Sequence, residues 1–285
     1  MPRPRRRPLR RLALVWAALL IAGCGGHAPP PLLSVGASPD PQSQVLAHLY
    51  SSALRGAGAA VRVVPVTDPV AGLDSGELTV VPGFTGRFLA VFAPGSVARS
   101  DRQVYWALAG ALPEGIALGD YAMTATDKPA LAVTKATATS WGGTDLRALV
   151  RNCAGLTVGA VAGARAPAAV GRCTLSKLRE FPDDATLFAA LHGRRITAAW
   201  TSTADPGVPD DAVLLADVRP ALVRAENVVP LYRRNALTET QLLAINQVAG
   251  VLDTAALVDM HRQVVGGADP QEVVDAFLEQ HPLGR

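Results

Sequence analysis

The sequence predicts an α/β protein of two lobes with a helical tail, and three observations carry that expectation. Residues 32–66 read as strand, helix and strand, the pattern of a parallel crossover unit. A second α/β set opens at Leu156, and from Leu237 onward the periodicity is helical only. The chain has 285 residues, enough for one large domain or two of ordinary size. Its 49% apolar and 18% charged composition excludes intrinsic disorder. Three cysteines are too few for a disulfide-dense scaffold.

Taken in order, Leu32 to Val35 is an expected strand, ending in the turn cluster Gly36-Ala37-Ser38-Pro39-Asp40. A helix is expected over 43–57, with Val45, Leu46, Leu49, Tyr50 and Leu54 on one stripe, stopped by Gly56 and Gly58. Val61 to Val66 reads as a second strand. A helical turn at 73–77 leads into an apolar strand at 78–82, followed by Gly83-Phe84-Thr85-Gly86 and helices at 87–92 and 102–112. The second set is expected as strands at 131–134, 156–161 and 196–200, with helices at 145–151, 168–180 and 188–192. Residues 213–215, 218 and 228–231 read as extended. Thr238, Asp253 and Asp269 are the expected N-caps of the tail helices, and Asp269-Pro270-Gln271-Glu272 has a capping-box start.

The net charge of +3 is unevenly placed. Arg3, Arg5, Arg6, Arg7, Arg10 and Arg11 crowd the start, and the rest of the chain is about −3 without them. No nucleic-acid partner is therefore expected. The apolar run Leu12 to Ala22 would span about 16 Å as a helix, roughly half a bilayer core, which fits the middle of an export signal. Leu20-Ile21-Ala22-Gly23-Cys24 resembles the lipobox of bacterial lipoproteins. The resemblance implies removal of residues 1–23, acyl chains on Cys24 and a place on the outer face of a bacterial cell membrane, with 24–31 as a tether. An ordinary signal peptide with an incidental cysteine is the alternative. In an oxidising compartment Cys153 and Cys173 suggest a disulfide, two buried free thiols being the other possibility.

Four segments resemble the substrate-binding proteins of glycine betaine, carnitine and choline ABC importers. They are Leu33-Ser34-Val35-Gly36 through Tyr50; Leu73 to Gly86, with Pro82-Gly83-Phe84-Thr85-Gly86 where the family has Pro-Glu-Tyr-Thr-Gly; Ala189 to Thr203; and the helices from Leu237 to Leu283, including Ala276-Phe277-Leu278. The resemblance implies a two-lobed periplasmic-binding-protein fold of the type II kind, with lobe 1 at 32–130, lobe 2 at 131–228 and a return to lobe 1 at 229–285. It implies two crossings, near 130–134 and 227–230. It further implies a monomeric, lipid-anchored receptor that closes on a small polar or quaternary-ammonium solute and serves a permease with its ATPase subunit.

The family holds its cation with tyrosines, by cation–π attraction. Phe84 stands at one such position. Tyr121, Trp200 and Tyr232 are the other aromatics near the expected cleft, Trp200 reading mainly as core. Arg165 is the candidate for an anionic group of the solute, and Thr85, Thr201, Ser202 and Thr203 are candidate hydroxyl donors. The cage looks incomplete, so the solute is left open. A sensor or envelope interaction protein on the same fold is the alternative. The five histidines are scattered without an HExxH, no G-x-S-x-G is present, and Gly159 to Gly163 lacks a phosphate-loop lysine. Asp127-Lys128, Asp183-Asp184 and Asp210-Asp211 read as solvated turns. No catalysis, cofactor or metal is expected.

Overall fold

The computed structural model describes residues 31–175 and 178–284. The export segment, Cys24 and the tether up to Pro30 lie outside the described residues. The first sheet begins with β1 (Leu33–Ala37), buried along its whole length. A strand covered on both faces belongs at the centre of a parallel sheet, and β1 pairs in parallel with β2 (Val61–Pro65) and β3 (Val80–Phe84). Between β1 and β2 runs α1 (Pro41–Gly56). Asp40 caps it by accepting from the Ser43 N–H, proline sits in the first turn, and the stripe Val45, Leu46, Leu49, Tyr50 and Leu54 is buried as periodicity requires. Next in the chain come α2 (Pro69–Ser75), α3 (Thr85–Phe92) and α4 (Asp101–Ala111), the last opened by a Ser100–Gln103 capping box. β4 (Ile116–Leu118) ends this half; no strand was expected there.

The second sheet starts at β5 (Pro129–Thr134), followed by α5 (Lys135–Trp141), α6 (Leu146–Arg151) and β6 (Val158–Val161). The segment expected as a helix at 168–180 is instead β7 (Ala169–Val170), β8 (Cys173–Thr174) and β9 (Leu178–Phe181). Two non-local constraints override its helical pattern. Cys173 is bonded to Cys153, and β9 pairs in parallel with β6, Val158 opposite Leu178. Then come α7 (Asp184–His192), β10 (Ala198–Ser202) and β11 (Ala212–Leu214), and the sheet order is β11-β5-β10-β6-β9.

The chain then returns to the first sheet as β12 (Val228–Arg233), antiparallel to β3 and β4, giving the order β2-β1-β3-β12-β4. The tail helices are α8 (Glu239–Val251), α9 (Thr254–Val265) and α10 (Pro270–Gln280). Thr238, Asp253 and Asp269 cap them as the sequence indicates. Ile245, Val248, Leu257, Met260, Val274 and Phe277 join the α1 stripe in one core on one face of the first sheet. Leu73, Phe88, Val104, Leu108 and Ile116 cover its other face. The second sheet is covered likewise, Trp200 and Leu146 on one side and Leu187, Phe188 and Ile196 on the other.

Two backbone segments join the sheets, residues 126–128 and 224–227. They pair with each other: Thr126 bridges Asn227, and the Asp127 N–H donates to the Glu226 carbonyl at 2.9 Å. A third segment touches both sides. The Thr203 hydroxyl donates to the Thr126 carbonyl at 2.9 Å, and Ala204, fully buried, belongs to the core of the first sheet.

The Cys153–Cys173 bond closes a loop with a sequence separation of 20. Restricting the unfolded chain over that span is worth roughly 3 kcal/mol. A Cys153→Ala/Cys173→Ala double variant should lose about that much in urea unfolding. A loss below about 0.5 kcal/mol would mean that β7 and β8 hold the segment without the bond.

Candidate functional site

Open α/β sheets bind ligands beyond the carboxyl ends of their parallel strands. Here the ends of β1 and β3 meet those of β6 and β10 across a cleft floored by the two joining segments. One cavity of about 360 Å³ is lined by Asp40, Arg87, Asp127, Arg165, Trp200 and Asp205, among others. A neighbouring cavity of about 660 Å³ shares Arg87, Pro129, Arg165 and Glu226 and extends past Val97 and Arg224.

Arg87, in the first turn of α3, organises the floor. Its guanidinium pairs with the Asp127 carboxylate, donates to the Gln42 side-chain oxygen at 3.3 Å and lies 4.0 Å from the centre of the Phe84 ring. Asp127 is only 5% exposed, and its other oxygen accepts from the Ser202 hydroxyl, so one carboxylate binds a helix residue from one side of the cleft and a strand end from the other. Beside it Glu226 accepts the Arg87 backbone N–H at 2.8 Å and occupies the start of α3 in place of a side-chain cap. Gly86 is what permits this approach: a Cβ there would stand 2.5 Å from the Ala225 carbonyl and 2.7 Å from a Glu226 carboxyl oxygen. Burial pushes the Glu226 carboxyl up to about 7, against the opposing pull of Arg87 and Arg165.

On the far wall Asp205 accepts from the Thr201 hydroxyl and, at 2.8 Å, from the Gly207 N–H. Asp184, in the first turn of α7, lines the same cavity, and burial together with Asp205 and Asp183 raises its pKa. Arg165 reaches in from the exposed loop after β6. Desolvation and Arg87 lower its pKa while Glu226, Asp127 and Asp40 oppose them, and a guanidinium stays charged throughout.

Of the residues singled out in the sequence, Phe84, Arg165, Trp200, Thr201 and Ser202 lie at this cleft, Trp200 as a buried core side chain at its edge. Phe84 is buried and its π-face already carries Arg87. Thr85 is 1% exposed and its hydroxyl accepts the Asn227 N–H at 3.0 Å, stitching α3 to β12. Thr203 is bonded into the joining segments. Tyr121 and Tyr232 are not brought to the cleft. Tyr121 packs on Tyr105 at 4.8 Å between ring centres and lines a separate cavity of about 910 Å³ with Asp120 and Asn246. Tyr232 sits opposite Val80, at the end of β3 remote from Phe84, because β12 runs antiparallel to β3. The sequence reading passed over Arg87 and Glu226, and it took Asp127 and Asp184 for solvated turns. Their signal was proximity to the expected crossings and strand ends.

The raised pKa of Glu226 has a definite sign in stability. The folded state keeps a proton that the unfolded chain releases above its ordinary value of 4.5, so stability is surrendered as pH rises from there to about 7. The loss is on the order of 3 kcal/mol. Urea unfolding at pH 5 and pH 8 should show a smaller difference for Glu226→Gln than for the parent; equal differences would refute the assignment.

Comparison with known proteins places this cleft in context. A family model described as the substrate binding domain of an ABC-type glycine betaine transport system matches residues 31–280. A search of curated proteins found no match. Among solved structures, a glycine betaine/carnitine/choline ABC transporter protein is similar at TM-score 0.74 and 15% identity, covering 88% of this chain and 98% of that one. Apo YehZ from Escherichia coli is similar at TM-score 0.66 and 20% identity, over 90% and 99% of the two chains. An ABC-transporter choline binding protein in complex with choline is similar at TM-score 0.54 and 15% identity, over 88% and 89%. At such identities the likeness is one of fold, the two-lobed fold of periplasmic binding proteins. Its sequence match over residues 31–280 carries the further conclusion that the chain belongs to the substrate-binding domain family of ABC-type glycine betaine transport systems.

Proposed function

We propose that the protein is the extracytoplasmic receptor of an ABC importer, which captures a small polar or quaternary-ammonium solute between its lobes and releases it to a permease without chemistry on the solute. The observation that carries the reading is the Asp127 carboxylate, held by Arg87 from one side of the cleft and Ser202 from the other. It lies on a joining segment, so a solute that touches Arg87 or the β10 end acts directly on the hinge. Closure of this kind buries the solute and gives the permease a shape that differs between empty and loaded states. The lobes are taken as 32–130 with 229–285, and 131–228. In this reading Cys24 carries the acyl chains and residues 24–31 tether a monomer to the outer face of the membrane.

Arg165 supports the reading because no hydrogen bond or ion pair engages its side chain among the described residues, although it lines both cavities. A guanidinium in that state suits a carboxylate or other anion of the solute. Thermal-shift measurements on the full-length protein with betaine, choline, carnitine, amino acids and sugars test the function. A solute at 100 times its Kd should add about 2.7 kcal/mol, and a flat response across that panel would overturn it. Arg165→Ala should weaken the solute found there by tenfold or more while leaving the urea midpoint of the empty protein unchanged. Unaltered affinity would remove Arg165 from the site.

A further inference from the structure

We infer that the cleft is built for a zwitterion whose cationic end carries N–H donors, an amino or guanidino acid, rather than for a fully methylated ammonium. The inference rests on the receptor reading and narrows its solute. Three observations at the cleft, centred on its 360 Å³ cavity, support it.

The first is the state of the aromatic faces. A quaternary ammonium offers no donor and depends on several π-faces within about 6 Å. Of the aromatics at the cleft, Phe84 is 3% exposed with the Arg87 guanidinium over its ring, and Trp200 is 1% exposed. Tyr121 and Tyr232 lie elsewhere. No cage remains among the described residues.

The second is an acid pair without a cation. Asp184 and Asp205 line the same cavity, near enough that the Asp205 charge helps raise the Asp184 pKa, and no ion pair engages either among the described residues. The Asp205 oxygens take one donor each, from Thr201 and Gly207, and the Asp184 side chain takes none among the described residues. A methylated cation would ease the charge and leave these acceptors unfilled once the cleft closes and water leaves. An ammonium or guanidinium fills them with charge-assisted bonds, roughly twice as strong as neutral ones.

The third is the counterpart for the anionic end. Arg165 lines the same cavity with its donors unengaged among the described residues. Free donors and free acceptors in one small cavity match a solute with a carboxylate and a protonated nitrogen.

Calorimetric titration of the full-length protein with glycine, N-methylglycine, N,N-dimethylglycine and glycine betaine tests this, together with γ-aminobutyrate, its N-trimethyl derivative and arginine. An N–H-bearing member should bind at least tenfold tighter than its trimethylated counterpart. If the trimethylated member binds equally or more tightly, the inference falls and the receptor reading stands. Absence of binding by every probe would also overturn the inference, and the receptor reading falls with it only when the wider thermal-shift panel is flat too. Asp205→Asn and Asp184→Asn should each shrink that preference by tenfold or more; a folded variant that keeps the full preference would refute the role of the acid pair.

Discussion

The structure depends on how two buried carboxylates are accommodated at the joint. Asp127 and Glu226 lie side by side on antiparallel segments, the N–H of one donating to the carbonyl of the other. Each is less than 10% exposed, Asp127 at 5% and Glu226 at 7%. Burying an ionised carboxylate without partners is prohibitive, so Asp127 is paired, Glu226 holds its proton up to about pH 7, and both converge on one residue. Arg87 answers Asp127 with its guanidinium and Glu226 with its backbone N–H. That requirement fixes the start of α3 against β12, calls for glycine at position 86, and draws the Phe84 ring under the guanidinium.

A cleft arranged around such charges differs in kind from an aromatic cage. The Pro-Gly-Phe-Thr-Gly turn keeps the family's place in the fold while its side chains have turned to support. Phe84 is a platform for Arg87, and Thr85 is a stitch to Asn227. On the proposed reading, recognition falls to the strand ends on the other side, where Arg165, Asp184 and Asp205 line the cavity with fewer obligations to the protein itself. The membership of the chain in its family and the chemistry of its pocket are therefore separate facts, one recorded in the core and the other in the loops.

The legible parts of the sequence are those decided locally. Caps at Thr238, Asp253 and Asp269 were readable because a side chain that bonds N–H groups two or three residues ahead needs no tertiary information. The α1 stripe was readable because one periodic face against one sheet leaves a clean pattern. Residues 168–180 were misread because their pairing partners, Cys153 and β6, lie far back in the chain. Asp127, Asp184 and Glu226 were opaque for a related reason: an acid in a Pro- or Ala-rich loop looks the same whether it faces water or a cleft. Tyr232 was misplaced by strand polarity alone, since an antiparallel β12 carries its last residues away from the site.

The excursion at Thr203 and Ala204 gives the joint its mechanical character. Two strands of chain joining two bodies would permit bending, twisting and some sliding. A third attachment, bonded through Thr203 and seated in the opposite core through Ala204, resists the last two far more than the first. The joint thus approaches a door on a fixed pin. If the protein acts as the proposed receptor, such a joint would give one closed outline whatever the solute's own shape, and selectivity would be exercised inside the cleft before the door moves.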